Sequence, residues 1–232
     1  MNGGVPGLKE RIGAVRDAIA RAAKRSGRGA TAVRLIGVVK TVPVERVQEA
    51  VALGLEDLGE NRVQEAEPKI AAVGRKAVRW HMVGHVQRNK AGRVVELFDC
   101  VHGVDGLPLG QALARRAQAA NRTLPVLVEV NVSGEASKFG IGPSALEPLL
   151  SDLASFPSLE VRGLMTVGRE VERGEDARAD FARLRELKER ATARLGLALT
   201  ELSMGMSGDF EVAIEEGATM VRIGTALFGR RE

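Results

Sequence analysis

A lysine follows the most apolar segment in the first part of the chain, and its amine could carry covalent chemistry. Residues 33–39 are almost entirely apolar, and Lys40 comes directly after them, before Thr41 and Pro43. An ammonium at the end of a buried strand is poorly solvated, which favours the free amine that attacks carbonyl groups. Lys40 is therefore a candidate for a covalent link to a cofactor. An ordinary surface lysine that extends into solvent is the alternative.

Two segments near the C-terminus combine a hydroxyl group with glycine. Ser207, Gly208 and Asp209 precede one apolar helical segment, and Gly224 with Thr225 precede another. The start of a helix presents unpaired backbone N–H groups, which bind anions. The two segments together predict a phosphate site. The alternative is that Ser207 and Thr225 only cap their helices.

An arginine lies inside the apolar segment 220–224. A buried guanidinium needs acceptors, so Arg222 either forms a structural salt bridge or faces a ring nitrogen or an anionic ligand. Other residues also lie at the ends of apolar segments, although caps and loops need such residues as well. They are Thr41, Glu60, Asn61, His81, Asn131, Ser133, Met165, Thr166 and Ser203.

A short apolar run, a loop and an amphipathic helix alternate about eight times along the chain. The predicted strands are 33–40, 57–61, 79–84, 100–104, 126–131, 159–167, 202–206 and 220–224. The clearest predicted helices are 43–52, 143–154 and 176–195. Alternating strands and helices imply right-handed crossovers and a parallel sheet.

Eight such units predict a single α/β domain over residues 1–232, folded as a closed (β/α)8 TIM barrel. An open, doubly wound sheet is the alternative. An extra N-terminal helix within residues 1–28, with Leu8, Ile12 and Val15 at helical spacing, should pack on the barrel. The active site of such a barrel lies at the C-terminal ends of its strands, where the candidate residues stand.

Composition excludes several classes of function. The 232 residues include 34 Lys and Arg against 30 Asp and Glu, and aromatic residues make up 3%, which gives little to stack nucleic-acid bases. One cysteine and three histidines without ligand spacing predict no metal site. The apolar runs are too short to span a bilayer. We therefore expect a cytoplasmic protein that binds neither nucleic acid nor membrane.

Several long segments resemble, in order and across nearly the whole chain, the pyridoxal phosphate homeostasis protein family (the YggS/PROSC type). The segments are GVVKT, LGENRVQEA, WHMVGHVQRNK, VNVSGEASKFGI, VRGLMTVG and LSMGMSGDFEVAIEEGATMVRIGTALFG. The resemblance implies the barrel fold of the alanine racemase domain, fold type III of the pyridoxal 5'-phosphate (PLP) enzymes. One local departure is His85, for which the resemblance supplies no role and which we interpret as a loop histidine.

The resemblance also implies roles for eight residues toward PLP. Lys40 would form the internal aldimine. Ser207, Gly224 and Thr225 would hold the phosphate, and Asn61 would line the ring pocket. Arg222 would face the pyridine nitrogen, while His81 and Met165 match positions near the cofactor.

The chemistry of these residues favours a PLP carrier over an efficient racemase. Arg222 at the pyridine nitrogen would disfavour its protonation and weaken the ring as an electron sink. Racemisation needs an acid/base on each face of the substrate, and the chain contains no tyrosine. We therefore expect a non-catalytic protein that buffers PLP and affects amino-acid and keto-acid balance indirectly, with apo-PLP enzymes as possible recipients.

Three other functions stay open: a weak amino-acid racemase, an aldolase that uses Lys40, and an interaction protein that signals its cofactor state. Lys138, in the loop 133–140, is a second lysine expected at the end of the barrel where Lys40 lies. It could receive the aldehyde transiently or attract the phosphate. An ordinary solvated loop lysine is the alternative.

Overall fold

The computed structural model describes residues 6–169 and 171–229. Its eight parallel strands form a closed barrel in which each strand pairs with the next in sequence and β8 pairs with β1. The strands are β1 (Arg34–Val38), β2 (Asp57–Glu60), β3 (Arg79–Met82), β4 (Cys100–Val104), β5 (Leu124–Glu129), β6 (Leu159–Met165), β7 (Glu201–Ser203) and β8 (Met220–Ile223). The TIM-barrel prediction is confirmed, and the open doubly wound alternative is wrong.

Helices connect the strands on the outside of the barrel. They are α1 (Leu8–Arg25), α2 (Val44–Ala52), α3 (Val63–Val73), α4 (Ala91–Leu97), α5 (Leu107–Ala119), α6 (Leu146–Ala154), α7 (Arg178–Leu195), α8 (Phe210–Glu215) and α9 (Thr225–Phe228). The predicted helices 143–154 and 176–195 each contain a 3₁₀ turn before the α-helix. Among the described residues, no helix has the length and apolar composition needed to cross a membrane.

The first strand is shorter than its sequence pattern predicts. The prediction ran from 33 to 40, but β1 ends at Val38. Thr41 then adopts a φ of 61°, a left-handed conformation that a strand cannot contain. The chain therefore turns out of the sheet around Lys40, which stands in the loop after β1.

The N-terminal helix α1 packs on the barrel through its apolar face. Leu8, Ile12 and Val15 are buried there, and α1 contacts α8 and α9. Near its C-terminal end, Arg25 forms ion pairs with Glu211 and Glu215 at 2.8 and 2.6 Å. The assignment of all 232 residues to one domain stays a prediction, because residues 1–5, 170 and 230–232 lie outside the described residues.

The interior of the barrel is partly polar. Such interiors are usually filled by layers of branched aliphatic side chains. Here one buried apolar cluster consists of Ile36, Leu127, Met165 and Met220. Beside it, polar side chains are also buried on the strands, among them Asp57, His81, His102, Ser203 and Arg222. Their burial requires hydrogen-bond partners, and these partners connect the interior to the candidate site.

Candidate functional site

Five of the predicted site residues follow the C-terminal ends of four neighbouring strands. Lys40 comes after β1 and Asn61 after β2, while Ser207 follows β7 and Gly224 with Thr225 follow β8. Because β7, β8, β1 and β2 are consecutive in the closed sheet, these residues lie along one arc of the barrel mouth. The topology thus brings together residues that are up to 185 positions apart in sequence.

Lys40 differs from the sequence-based expectation in its solvation. We expected a poorly solvated ammonium at the end of a buried strand, but the residue is exposed, while Val39 before it is buried. The expectation of burial is wrong because β1 ends two residues before Lys40. An exposed amine at the barrel mouth is accessible to a ligand that approaches from solvent.

The residue after Lys40 has a strained backbone. Thr41 is β-branched, and its φ of 61° is rare for such a residue. Conformations of this kind cost about 1–3 kcal/mol, occur most often at ligand and active sites, and persist only where the surrounding structure enforces them. Hydrogen bonds from Val39 N to Gly59 O (2.9 Å) and from Val42 N to Val39 O (3.0 Å) fix the segment on both sides of Lys40.

The loops after β7 and β8 form a set of hydrogen-bond donors. Ser207 Oγ accepts a hydrogen bond from the backbone N–H of Ala226 (3.1 Å), which ties the two loops together. Within the described residues, the backbone N–H groups of Ser207, Gly208, Gly224 and Thr225 donate to no protein acceptor. Several unpaired N–H groups together with two hydroxyl groups suit an anion such as a phosphate.

Arg222 is held by two neutral acceptors. Its Nη1 donates to Ser203 Oγ (2.7 Å) and its Nη2 to the backbone oxygen of Thr166 (2.8 Å). Burial lowers the pKa of Arg222 to about 10, and the charges of Glu129 and Asp209 oppose this effect. Arg222 forms no ion pair in the part of the chain that the structure describes. The structural salt bridge considered from sequence is therefore not found there.

His81 lies inside the barrel rather than at its mouth. The residue is 2% exposed. Its Nε2 lies 2.8 Å from Asp57 Oδ1, and its Nδ1 lies 2.9 Å from Nε2 of His102. His102 Nδ1 is 2.8 Å from Ser203 Oγ, which in turn accepts from Arg222. Through protein hydrogen bonds, His81 reaches Arg222 by way of His102 and Ser203.

The other two predicted residues, Met165 and Asn61, lie at different depths in the barrel. Met165 is fully buried in the apolar cluster inside the barrel. Asn61 is partly buried at the mouth, and its backbone lies so close to Gly84 that a Cβ on Gly84 would be 2.5 Å from the Asn61 oxygen. The roles of both toward a cofactor stay predictions.

Sequence reasoning missed three buried polar residues near the site. Glu129 ends β5, and burial together with the charge of Asp105 raises its pKa to about 7, against the effect of Arg222. His102 and Lys69 are buried as well. The signal for Glu129 was present, since it closes the apolar run 126–128 as Lys40 closes its own. His102 and Lys69 take part in contacts that no local pattern marks.

The loop after β5 is fastened by two contacts. His85 lies in the loop after β3, as expected, where it pairs with Asp105 (Nδ1 to Oδ2, 2.9 Å) and stacks on Phe139 at 4.2 Å between ring centroids. Lys138 Nζ binds Glu135 Oε1 (2.7 Å) and donates to the oxygen of Gly168 (3.1 Å). The His85 and Lys138 side chains therefore hold this loop in place at the barrel mouth.

A possible metal-ligand set lies within the polar interior. The ligand atoms of His81, Cys100 and His102 are within 4.8 Å of one another, although sequence spacing indicated no such set. Burial raises the pKa of the Cys100 thiol to about 12. All four ring nitrogens of the two histidines have hydrogen-bond partners within the protein, so these residues are satisfied by their neighbours.

Comparisons with known proteins identify the family. Residues 12–232 match the family described as alanine racemase, N-terminal domain. A protein of Pseudomonas aeruginosa named pyridoxal phosphate homeostasis protein is 45% identical over 225 residues, which cover 97% of this chain and 96% of that one. The chain belongs to the pyridoxal phosphate homeostasis protein family. The resemblance of the sequence motifs to this family is thereby confirmed.

Solved structures support the same assignment. PipY of Synechococcus elongatus, solved with PLP bound, is 34% identical with a TM-score of 0.84, and the match covers 96% of this chain and 100% of PipY. Alanine racemase of Clostridium difficile is 14% identical with a TM-score of 0.74, over 97% of this chain and 56% of the racemase. The second likeness concerns the fold alone, and it confirms the expected alanine racemase-like barrel of this family.

Proposed function

We propose that this protein binds pyridoxal 5'-phosphate and carries and buffers it for vitamin B6 homeostasis, without being an enzyme. The named function of its relatives and the PLP bound to PipY support the proposal. The single observation in this structure that supports it most is the arc of strand ends that carries an exposed amine, Lys40, beside an anion-binding pair of loops. PLP has one aldehyde and one phosphate, and the arc offers a partner for each.

The donor set fits the cofactor group by group. Ser207, Gly224 and Thr225 would hold the phosphate through their hydroxyl and free N–H groups. Lys40 would be the point of covalent attachment. Asn61, which follows the neighbouring strand, would line the ring.

Arg222 has further N–H groups besides those that donate to Ser203 and Thr166, and these would face the ring nitrogen. His81 would contribute through His102 and Ser203.

The same residues disfavour efficient amino-acid chemistry. Bound PLP supplies a reactive aldehyde and an electron-withdrawing ring. Arg222 opposes protonation of the ring nitrogen, because a second positive charge there is unfavourable. The chain has no tyrosine to act as the second acid/base on the opposite face of a substrate. A carrier, in contrast, needs an amine that solvent and a recipient protein can reach, and Lys40 is exposed.

Covalent attachment can be tested by absorption spectroscopy followed by borohydride reduction and peptide mass mapping. We expect a yellow protein whose reduced form carries the pyridoxyl mass on Lys40, and a colourless Lys40→Ala variant. Lys76→Ala, at an exposed lysine in the loop before β3, is the matched control and should resemble the wild type. A wild-type protein that stays unmodified after addition of PLP would disprove the proposal.

The carrier role is tested separately from binding. Holo-protein mixed with an apo-PLP enzyme should restore that enzyme's activity, and incubation with L- and D-amino acids should give no more racemised product than protein. Turnover that exceeds the amount of protein would instead support a weak racemase. Recipient enzymes and a cytoplasmic location are parts of the proposal that the transfer assay and cell fractionation address.

A further inference from the structure

A chain of hydrogen bonds crosses the barrel interior from Arg222 on β8 to the N-terminal ends of β2 and β3. It runs from Arg222 to Ser203 (2.7 Å), to His102 (2.8 Å), to His81 (2.9 Å) and to Asp57 (2.8 Å). All five residues are at most 4% exposed. At the far end, Asp57 accepts two hydrogen bonds of 2.7 Å from Arg79, which begins β3. We refer to Asp57, His81, His102 and Ser203 as the relay.

The partners fix the direction of every hydrogen bond in the relay. Asp57 is ionised, because hydrogen bonds from Arg79 and His81 outweigh the effect of burial and lower its pKa to about 2. Its carboxylate therefore accepts from His81 Nε2–H. If Nδ1 of His81 accepts, His102 Nε2 carries the proton of the hydrogen bond between the two rings. His102 Nδ1 must accept in its turn, and Ser203 Oγ–H donates to it.

The opposite arrangement would leave a buried proton without a partner. If His102 Nδ1–H donated to Ser203, the serine oxygen would receive hydrogen bonds from both His102 and Arg222. The Ser203 proton would then need an acceptor of its own, and the described residues offer no further one. An unpaired buried hydroxyl is costly. Burial also lowers the pKa of His102 well below its ordinary value, which keeps this ring neutral.

We propose that His102, supported by His81 and Asp57, is a positioning residue. By accepting the Ser203 proton, His102 orients the Ser203 hydroxyl so that its oxygen accepts from Arg222. The guanidinium is thereby held in the orientation in which it would face the cofactor ring. This inference rests on the proposed PLP function. Ser203 and the Thr166 oxygen hold two different guanidinium nitrogens, so together they set the plane of the group. The remaining N–H groups of Arg222 are then held in fixed positions.

The first test needs no cofactor. In PLP-free protein labelled with ¹⁵N in its histidines, both His81 and His102 should give NMR spectra of neutral rings protonated at Nε2. His85, which is exposed and lies outside the relay, serves as the internal reference. A His102 protonated at Nδ1, or a doubly protonated His102, would overturn the proposal, because Ser203 could not then donate to it.

The second test distinguishes the contribution of His102 Nδ1 from that of His102 Nε2. Asparagine places its amide near the position of Nδ1 and can still accept from Ser203, whereas glutamine reaches the position of Nε2 and cannot. We expect His102→Gln to weaken PLP binding about tenfold, equivalent to about 1.4 kcal/mol, and to shift the visible absorption maximum of the bound cofactor. His102→Asn should stay within about twofold and keep the wild-type spectrum.

A second pair of variants guards against a folding defect at His102. Ser203→Ala should reproduce the spectral shift of His102→Gln, and Ser203→Thr, which keeps a hydroxyl, should restore the wild-type spectrum. If all four variants had the same spectrum and the same affinity for PLP as one another, the positioning role would be refuted. If the wild type bound no PLP, the proposed function would fail, while the NMR result would still decide whether the relay has the proposed direction.

Discussion

Lys69 donates a hydrogen bond to the backbone oxygen of Val39 over 2.6 Å, so a buried ammonium holds the peptide unit that leads into Lys40. The same amine forms an ion pair with Oε1 of Glu60, whose side chain is fully buried. The other oxygen, Oε2, has no partner among the described residues. Burial raises the pKa of Glu60, and the interaction with Lys69 opposes this effect. Lys69 therefore compensates a buried charge and fixes the β1 loop.

Replacement of Lys69 should destabilise the fold strongly. In Lys69→Met the Glu60 carboxylate loses the one cationic partner that it has among the described residues, which typically costs about 3–5 kcal/mol. The measurement is the free energy of unfolding from urea titration. The control is Arg46→Met, which breaks an exposed pair with Glu49 and should cost less than about 1 kcal/mol. Equal losses in both variants would contradict the structural role of Lys69.

The pKa of Glu129 predicts a pH-dependent stability. Because burial, with Asp105, raises this pKa to about 7 from its ordinary 4.5, the folded protein holds a proton that the unfolded chain releases. Stability from this group is therefore complete below about pH 4.5 and falls as the pH rises to about 7. The difference corresponds to about 3 kcal/mol at 1.36 kcal/mol per pKa unit.

Glu129→Gln isolates this contribution. The variant cannot release the proton, so its free energy of unfolding relative to the wild type should increase by up to about 3 kcal/mol between pH 4 and pH 8. Urea titrations of both proteins at several pH values measure the difference directly. A difference that does not change with pH would show that Glu129 ionises as in the unfolded chain.

The order of elements in this fold could be predicted from sequence because each strand and helix has its own local pattern. The predicted strand 100–104 matches β4 exactly in extent, and the face of α7 that carries Phe181, Leu184 and Leu187 is buried as its spacing indicated. Strand ends were less predictable. Before Lys40 the apolar pattern continues through Val39, but β1 ends at Val38.

The site was predictable only in part, for a physical reason. Residues at strand ends are marked by the change from apolar to polar sequence, which is why Lys40, Asn61 and Thr225 could be found. The relay is not marked in this way. His102 contacts Ser203, which is 101 positions away, and only closure of the barrel brings them together. Such long-range contacts follow from topology and not from any local period.

Gly84 should be indispensable for the position of Asn61. A Cβ at Gly84 would lie 2.5 Å from the oxygen of Asn61 and 2.8 Å from its Cα, so the backbone has to move. We expect Gly84→Ala to destabilise the protein by about 1–3 kcal/mol and to weaken PLP binding. Thermal unfolding and PLP titration measure the two effects.

Gly13 provides the opposite case for comparison. It lies within α1, and a Cβ there would meet no atom within 4 Å. Gly13→Ala should therefore stabilise the protein by about 0.5–1 kcal/mol, because alanine loses less backbone entropy in a helix. PLP binding should not change. If Gly84→Ala behaved like Gly13→Ala, the close approach of Asn61 would not constrain the site.

The phosphate assignment predicts a variant that distinguishes PLP from pyridoxal, which lacks the phosphate. Ser207→Ala removes one hydroxyl of the donor set and the acceptor for the Ala226 N–H. A hydrogen bond to a charged group contributes about 1.5–3 kcal/mol, so affinity for PLP should fall at least about tenfold. Affinity for pyridoxal should stay the same, since Ser207 would not contact it. Both are measured by titration of the visible absorption band.

The control for this comparison is Ser137→Ala, an exposed serine in the loop after β5 at the same end of the barrel. It should leave both affinities unchanged. Equal losses for PLP and pyridoxal in Ser207→Ala would mean that the serine supports the loops through Ala226 and does not bind the phosphate. In that case the unpaired backbone N–H groups at positions 207, 208, 224 and 225 would hold the anion without the Ser207 hydroxyl. Raised ionic strength should then weaken PLP binding as much in the variant as in the wild type.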